Sequence, residues 1–275
     1  MSYVNVQDRR LPFALRYAAD FLSYRHLCWN LVGSALRSRF RRTQLGILWA
    51  TLQPLAFSLM IATVWAGLRH RESVWEFAAY VFTGAVAFEL FSTSVQNGQD
   101  ALMSASGFIR QARIPFLIFQ LRVVLTSLVM FMCALVGVLL VTAIVTNGAN
   151  LGPALMLIPV FMGVAALFML PIVIIMSIVG ALYRDVKYIS MLVERALFLV
   201  SPVMLPRDVL EQPHLQILEV LNPLVPFLDM FRDPVLKGQL WQAQDVIVMF
   251  IWIAALWALA IVASVSSGRR IVFAL

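Results

Sequence analysis

Two stretches of this chain run without a charged residue for longer than a soluble core helix needs: Leu45 to Leu68 and Val123 to Asn147. About 20 predominantly apolar residues are enough for a helix to cross the hydrocarbon core of a bilayer. The whole chain agrees with that solvent. Of 275 residues, 61% are hydrophobic and 13% charged, and the mean hydropathy is +0.87. A soluble domain carries about 25% charged residues, so this chain lacks the polar side chains to cover itself in water. It reads as an all-α integral membrane protein.

Six transmembrane helices are expected: Leu45–Leu68, Phe77–Val95, Val123–Asn147, Ala154–Leu182, Ile189–Leu205 and Val246–Val265. The fourth holds Pro159 and Pro171, and the fifth is short and interrupted by Pro202. Proline inside a membrane helix marks a kink that neighbours must re-satisfy. One transmembrane domain over 1–275 results, with a cytoplasmic or interfacial segment (1–44), the bundle (45–265) and a cytoplasmic tail (266–275).

Net charge is +7, and Lys187 and Lys237 are the only lysines. The basic residues flank apolar spans, so they bear on topology and not on nucleic acid. Arg9, Arg10, Arg16, Arg25, Arg37, Arg39, Arg41, Arg42, Arg110, Arg113, Arg122, Arg184, Lys187, Arg269 and Arg270 fall on one side of a six-span chain. The positive-inside rule makes that side, with both termini, cytoplasmic. Met1 to Arg10 is polar, so no cleaved signal peptide is expected and the first span acts as an anchor. Cys28 precedes the first span and Cys133 lies in the third; they read as small buried hydrophobes without a disulfide.

From Tyr24 to Phe40, apolar residues recur at helical spacing: Leu27 and Leu31, with Trp29, Val32, Leu36 and Phe40 on a neighbouring stripe. Arg25, Arg37 and Arg39 flank them. The pattern suits an amphipathic helix on the inner leaflet, or one packed on the chain's own spans. The external segment Pro206 to Asp245 holds two apolar pieces, Leu215–Leu221 and Leu224–Phe231, each too short to cross. They suit short re-entrant helices, or a compact external cap.

No G-x-x-x-x-G-K-[ST] phosphate loop occurs, and no glycine precedes a lysine. The three histidines, His26, His70 and His214, are scattered and form no metal motif. Glu89 lies inside the second span. A carboxylate is costly there, so it either lines a polar path, pairs with an Arg such as Arg122, or reaches water near an interface. Glu194 and Arg195 read as a structural ion pair near the inner interface.

The stretch Phe40-Arg41-Arg42-Thr43-Gln44-Leu45-Gly46-Ile47-Leu48-Trp49-Ala50-Thr51-Leu52-Gln53-Pro54 resembles the opening of ABC type-2 exporter permeases, in particular those exporting O-antigen, capsule and teichoic-acid polymers. Ile114-Pro115, Tyr183-Arg184-Asp185-Val186 and Asn222-Pro223-Leu224-Val225-Pro226, followed by Phe231-Arg232, are similar to further elements of that family in its order. Glu89 departs from the pattern, which has a neutral or aromatic residue there.

The resemblance implies a homodimer of six-span subunits working with two copies of a separate ABC ATPase, which binds ATP and Mg. This chain itself holds no cofactor or metal. The implied cargo is a lipid-linked polysaccharide crossing the bacterial inner membrane, with membrane lipid around the chain and no nucleic acid. Expected periplasmic gate residues are Pro202, Asn222, Pro223, Pro226, Phe227 and Phe231. Force from the ATPase is expected at Asp100, Phe108, Arg110, Arg113, Tyr183, Arg184 and Asp185, with a helix near Asp100 to Phe108. A path for sugars needs aromatic faces, and Trp49, Phe57, Phe82, Phe88 and Phe91 are the candidates, together with Glu89. The same rings at helical spacing also suit packing against neighbouring helices. Two other readings stay open: an exporter of small amphiphiles or drugs with this fold, and a membrane-embedded glycosyl- or acyltransferase. No catalytic residues converge in the sequence.

Single cysteines test the topology in a background lacking Cys28 and Cys133. Gln239→Cys should react with an impermeant reagent in intact cells, and Ile271→Cys should not. Outside labelling at position 271 would overturn the orientation.

Overall fold

A computed structural model describes residues 13–41, 43–69, 74–111, 114–204 and 221–274. Among these residues the chain is helical and has no strand. The helices are α1 (Phe13–Phe40), α2 (Trp49–Arg69), α3 (Val74–Gln99), α4 (Ser106–Gln111), α5 (Phe116–Val145), α6 (Leu151–Leu182), α7 (Val186–Val200), α8 (Leu224–Arg232) and α9 (Ala243–Ala274). Short 3-10 turns precede α2 and α4, and a π-helical turn, Asp233–Lys237, follows α8.

Among the described residues five helices are long and apolar enough to cross a membrane: α2, α3, α5, α6 and α9. They fall on the first four and the sixth of the expected spans. The ends differ for local reasons. α2 starts at Trp49 because Gly46 takes a φ of +53° and opens a 3-10 turn over Gly46–Leu48. Glycine adopts that conformation without the Cβ penalty, which gives the Leu-Gly pair of the opening stretch a structural role. α5 starts at Phe116, a full turn and more before the apolar run, and carries Arg122, whose guanidinium donates to Ser104 Oγ at 3.2 Å. The expected fifth span is shorter still: α7 has 15 residues, about 22 Å of rise.

α3 is the axis of the bundle. In its most apolar stretch 72% of residues are buried, against 11% in α2 and 17% in α9. Helices α2, α5, α6, α7 and α8 all pack on it. Small residues set the approach to α6. A side chain at Gly180 would meet the Gln99 carbonyl oxygen at 2.5 Å, and one at Gly98 would meet Val173 Cα at 3.4 Å. The largest core cluster is aromatic. The ring centroids of Phe131, Phe161 and Phe231 lie 5.1–5.8 Å apart, and Phe227 bridges Phe161 and Phe168 at 5.2 and 5.3 Å.

Side-chain contacts fix the helix directions. Gln120 on the first turn of α5 donates to Ser177 near the end of α6 at 2.8 Å, so those two helices are antiparallel. α6 and α9 are parallel. Asn150 donates to the Leu236 carbonyl just before α9, Trp257 Nε1 donates to Leu167 O at 3.0 Å, and Ala260 packs with Ile174 and Ile178. α7 runs antiparallel along α3. Ser190 meets Gln99 at 2.5 Å, Glu194 meets Gln96 at 2.8 Å, the Phe198 ring lies 5.1 Å from that of Phe88, and Tyr80 Oη donates to Pro202 O at 3.3 Å.

α1 has a non-helical break at Tyr24 and packs against α5. Cys28 and Val32, one turn apart, are buried, while Trp29 between them is 54% exposed. The amphipathic pattern is thus answered, in part, by the chain's own third span. Burial raises the Cys28 thiol pKa above its usual value, opposed by the nearby Arg122 guanidinium, so the thiol stays protonated and inert. Both cysteines are free.

Gly180→Val forces a branched side chain against the Gln99 backbone and should cost roughly 1–3 kcal/mol. Gly163→Ala, with nothing within 4 Å of the added Cβ, should not destabilise and should favour the helix by up to about 1 kcal/mol. Thermal unfolding of the two variants in detergent separates them.

Candidate functional site

A cavity of about 350 Å³ opens between α2, α3, α5 and α7, with the end of α1 at its mouth. Its walls combine rings with polar groups. Trp49, Gln53 and Phe57 come from α2, Phe88, Glu89 and Thr93 from α3, Ser127 and Phe131 from α5, Phe198 from α7, and Arg39 and Phe40 from α1. The helical repeat explains the set: Trp49, Gln53 and Phe57 are successive i, i+4 positions, as are Glu89 and Thr93.

The structure brings together four of the six residues expected along a path: Trp49, Phe57, Phe88 and Glu89. Two it places elsewhere. Phe82 is fully buried in the core and Phe91 is 8% exposed; neither lines the cavity. Phe91 does neighbour Phe88, with centroids 5.8 Å apart, but points into the packing of the bundle. Phe198 was invisible as a wall residue from the first two spans alone. Its ring stands edge-on to Phe88 at 5.1 Å and to Phe57 at 5.8 Å, and the three form one partition.

Glu89 does not pair with Arg122. Its Oε1 lies 3.8 Å from Arg39 Nη2, with both side chains about half exposed. Arg122 is occupied at Ser104. The pair ties the end of α1 to the middle of α3 across the cavity mouth. Glu194 and Arg195 do not form the expected ion pair either, because adjacent helical residues face different ways. Glu194 is 5% exposed and accepts hydrogen bonds from Ser92 Oγ at 2.7 Å and Gln96 Nε2 at 2.8 Å.

At the end of the bundle where α3 finishes, Asp100 lies 3.6 Å from Lys187 Nζ. That contact joins the turn after α3 to the Tyr183-Arg184-Asp185 turn, all three of whose residues are exposed. The Asp185 carbonyl accepts from the N–H groups of Tyr188 and Ile189 and starts α7. The helix expected near Asp100 to Phe108 is broken into a 3-10 turn and the six-residue α4. Phe108 is half exposed, 6.4 Å from the Phe119 ring. Arg113 and the side chain of Arg110 lie outside the described residues.

At the opposite end, Asn222 is buried and donates to Ser201 Oγ at 2.8 Å, while its own Oδ1 accepts from Leu224 N–H at 3.0 Å. The chain thus returns to Ser201 before α8 begins after Pro223. Every residue of α8 is buried, including Pro226, Phe227 and Phe231. Pro202 is buried as well, with its carbonyl held by Tyr80. Arg232 fastens the helix: Nη2 donates to Tyr80 O at 3.2 Å, and the guanidinium lies 3.7 Å over the Tyr80 ring. Gly84 supplies the space, since a Cβ there would also meet Val203 O at 2.9 Å. The first short apolar piece, Leu215–Leu221, lies outside the described residues except for its last position.

The site thus combines an aromatic and polar cavity among long apolar helices with a polar surface turn at one end of the bundle and the buried α8 at the other. Residues 26–236 match the ABC-2 type transporter family, and the chain belongs to it as a multi-pass membrane protein. It is 25% identical over 262 residues to the O-antigen export system permease protein RfbA of Myxococcus xanthus, covering 94% of this chain and 98% of that one. It is 23% identical to the protein of the same name from Klebsiella pneumoniae, covering 84% and 86%. The polysialic acid transport protein KpsM of Escherichia coli is 23% identical, covering 74% and 78%.

A charge swap tests the mouth. Glu89→Arg alone should destabilise the α1–α3 contact, and Arg39→Glu with Glu89→Arg should restore it. A double-mutant cycle on thermal unfolding should give a coupling of up to about 1 kcal/mol, as for half-exposed pairs.

Proposed function

We propose that this chain is the membrane-spanning permease of an ABC exporter that moves polysaccharide outward across the bacterial inner membrane. The observation that carries the reading is the cavity of rings, amides and hydroxyls closed by Arg39 and Glu89, in a chain of this family. An aromatic face stacks on a sugar without demanding a fixed hydrogen-bond pattern, and hydroxyl and amide groups match its rim. The relatives' names support a polysaccharide over a small amphiphile, and nothing in the cavity favours group-transfer chemistry.

Energy comes from an ABC ATPase partner, a reading supported by membership of the ABC-2 family. That partner holds ATP and Mg, and a homodimer of this chain with two ATPase copies completes the transporter. The ATPase pushes on the end formed by Asp100, Lys187 and Tyr183 to Asp185. Six crossings place that end in the cytoplasm with both termini. Support for the fifth crossing, α7, comes from the parallel pair α6 and α9, which obliges the chain to return between them. α7 with Ser201 to Met204 tracks α3 from Gln99 back to Tyr80, a rise of about 30 Å, the thickness of the hydrocarbon core. α8 then re-enters the bundle from the outer side.

Deleting the chain should leave surface polymer absent and polymer accumulating inside the cell. Phe57→Ala should lower export about two- to tenfold at unchanged protein abundance, as expected for removal of a ring contact. Phe91→Ala should act through abundance, because it empties a core site at a cost of roughly 3–5 kcal/mol. Export that falls only in step with abundance in Phe57→Ala would place the path elsewhere.

A further inference from the structure

The Phe57–Phe198–Phe88 partition has a second side. There, α3 and α7 enclose a cleft of about 490 Å³, within the range of about 300–1,000 Å³ usual for small-molecule sites. Phe88, Ser92 and Gln96 line it from α3 at successive i, i+4 positions. Glu194 and Phe198 line it from α7 with the same spacing, and Arg195 reaches it from an exposed position. The cleft lies one to two turns from the end of α3.

Glu194 is the anomaly. Its side chain is buried, yet both of its hydrogen bonds fall on one oxygen: Ser92 Oγ at 2.7 Å and Gln96 Nε2 at 2.8 Å donate to Oε2. Oε1 is buried and has no hydrogen-bond partner among the described residues. A carboxylate offers about four acceptor positions, and leaving a buried one unused is costly. Both donors are neutral, so they orient the charge without cancelling it. Beside it stand two aromatic rings. An occupant matching these surfaces has an apolar face for the rings and an O–H or N–H donor for Oε1. A hexose ring has both.

We propose that this cleft is a carbohydrate subsite at the inner mouth of the path, where a small rotation of the Glu194 side chain brings its unpartnered Oε1 to the cleft to accept a hydrogen bond from a hydroxyl or ammonium group of a sugar lying against Phe88 and Phe198. The inference rests on the polysaccharide reading and names the part of the cargo held here. It also sets a preference. Glu194 is buried and fixed, whereas the Arg195 guanidinium on the same cleft is exposed and screened, so the fixed carboxylate sets the preference and neutral and amino sugars are taken over polyanionic ones. The same partition gives a sugar leaving this cleft a ring surface shared with the larger cavity.

The test uses the permease reconstituted with its ATPase partner in lipid nanodiscs, with ATP hydrolysis as readout. The probes are polyprenyl pyrophosphate bearing a neutral hexose oligosaccharide, the same lipid bearing a glucuronate-containing oligosaccharide, and the lipid without sugar. Wild type should respond to the neutral glycolipid at about tenfold lower concentration than to the anionic one, as expected for one hydrogen bond to a charged group. Glu194→Gln should bring the two responses together, while Glu194→Asp, which keeps the charge, should retain the order. Phe198→Leu should weaken both responses alike. If Glu194→Gln keeps the preference, or Glu194→Asp loses it as well, the subsite is wrong while the export reading stands. If neither glycolipid stimulates wild type beyond the sugarless lipid, the polysaccharide reading falls and the subsite with it.

Discussion

The enclosure of α3 is the constraint from which the rest of the bundle is built. In a bilayer the hydrophobic effect does not drive helix against helix, so association rests on close packing and polar contacts between helices. α3 supplies both. Gly84 and Gly98 let other backbones approach, and its Tyr80, Thr93, Gln96 and Gln99 reach neighbours on α5, on α7 and beyond it. Each of these polar groups finds a partner on another element at a different depth. Together they hold α5 and α7 in register along its length.

Polar residues inside the bundle are therefore of two kinds. Ser94 and Ser58 return their hydroxyls to carbonyls of their own helix, and specify little beyond local geometry. Gln120, Gln99, Asn222 and Arg232 bridge distant parts of the chain. The second kind fixes which surfaces meet. Arg232 is the extreme case: it is 2% exposed and bound through a carbonyl and a ring face, so α8 stays seated without an exposed charge at its base.

Much of this was legible in the chain. Long uncharged runs locate five crossing helices because length and apolarity alone decide them, and the Asn-Pro-Leu-Val-Pro stretch marked the start of α8. The remainder was hidden for physical reasons. α7 is short and half polar, so hydropathy finds its Pro202 end more easily than its course along α3. The partner of Glu89 could not be read, because Arg39 stands fifty positions away and reaches it only once α1 has docked on α5. Phe82 and Phe91 share the aromatic spacing of Phe88 but face the core, since on a helix enclosed on every side periodicity does not tell a cavity from a packed neighbour. Glu194 looked like half of an ion pair because its neighbour in sequence is Arg195, whereas its donors sit on another helix.

The contact of Gly180 with Gln99 has a consequence for how such a machine can move. Backbone set against backbone leaves no side chain that could change rotamer and permit a second register, so α3 and α6 behave as a single stator. The part that touches α3 through a single half-exposed ion pair is the end of α1, whereas α7 is tied to it by hydrogen bonds at Ser190 and Glu194. A change at the mouth of the cavity would then be a movement of the end of α1 past a fixed wall, with the Arg39–Glu89 pair as the contact to break.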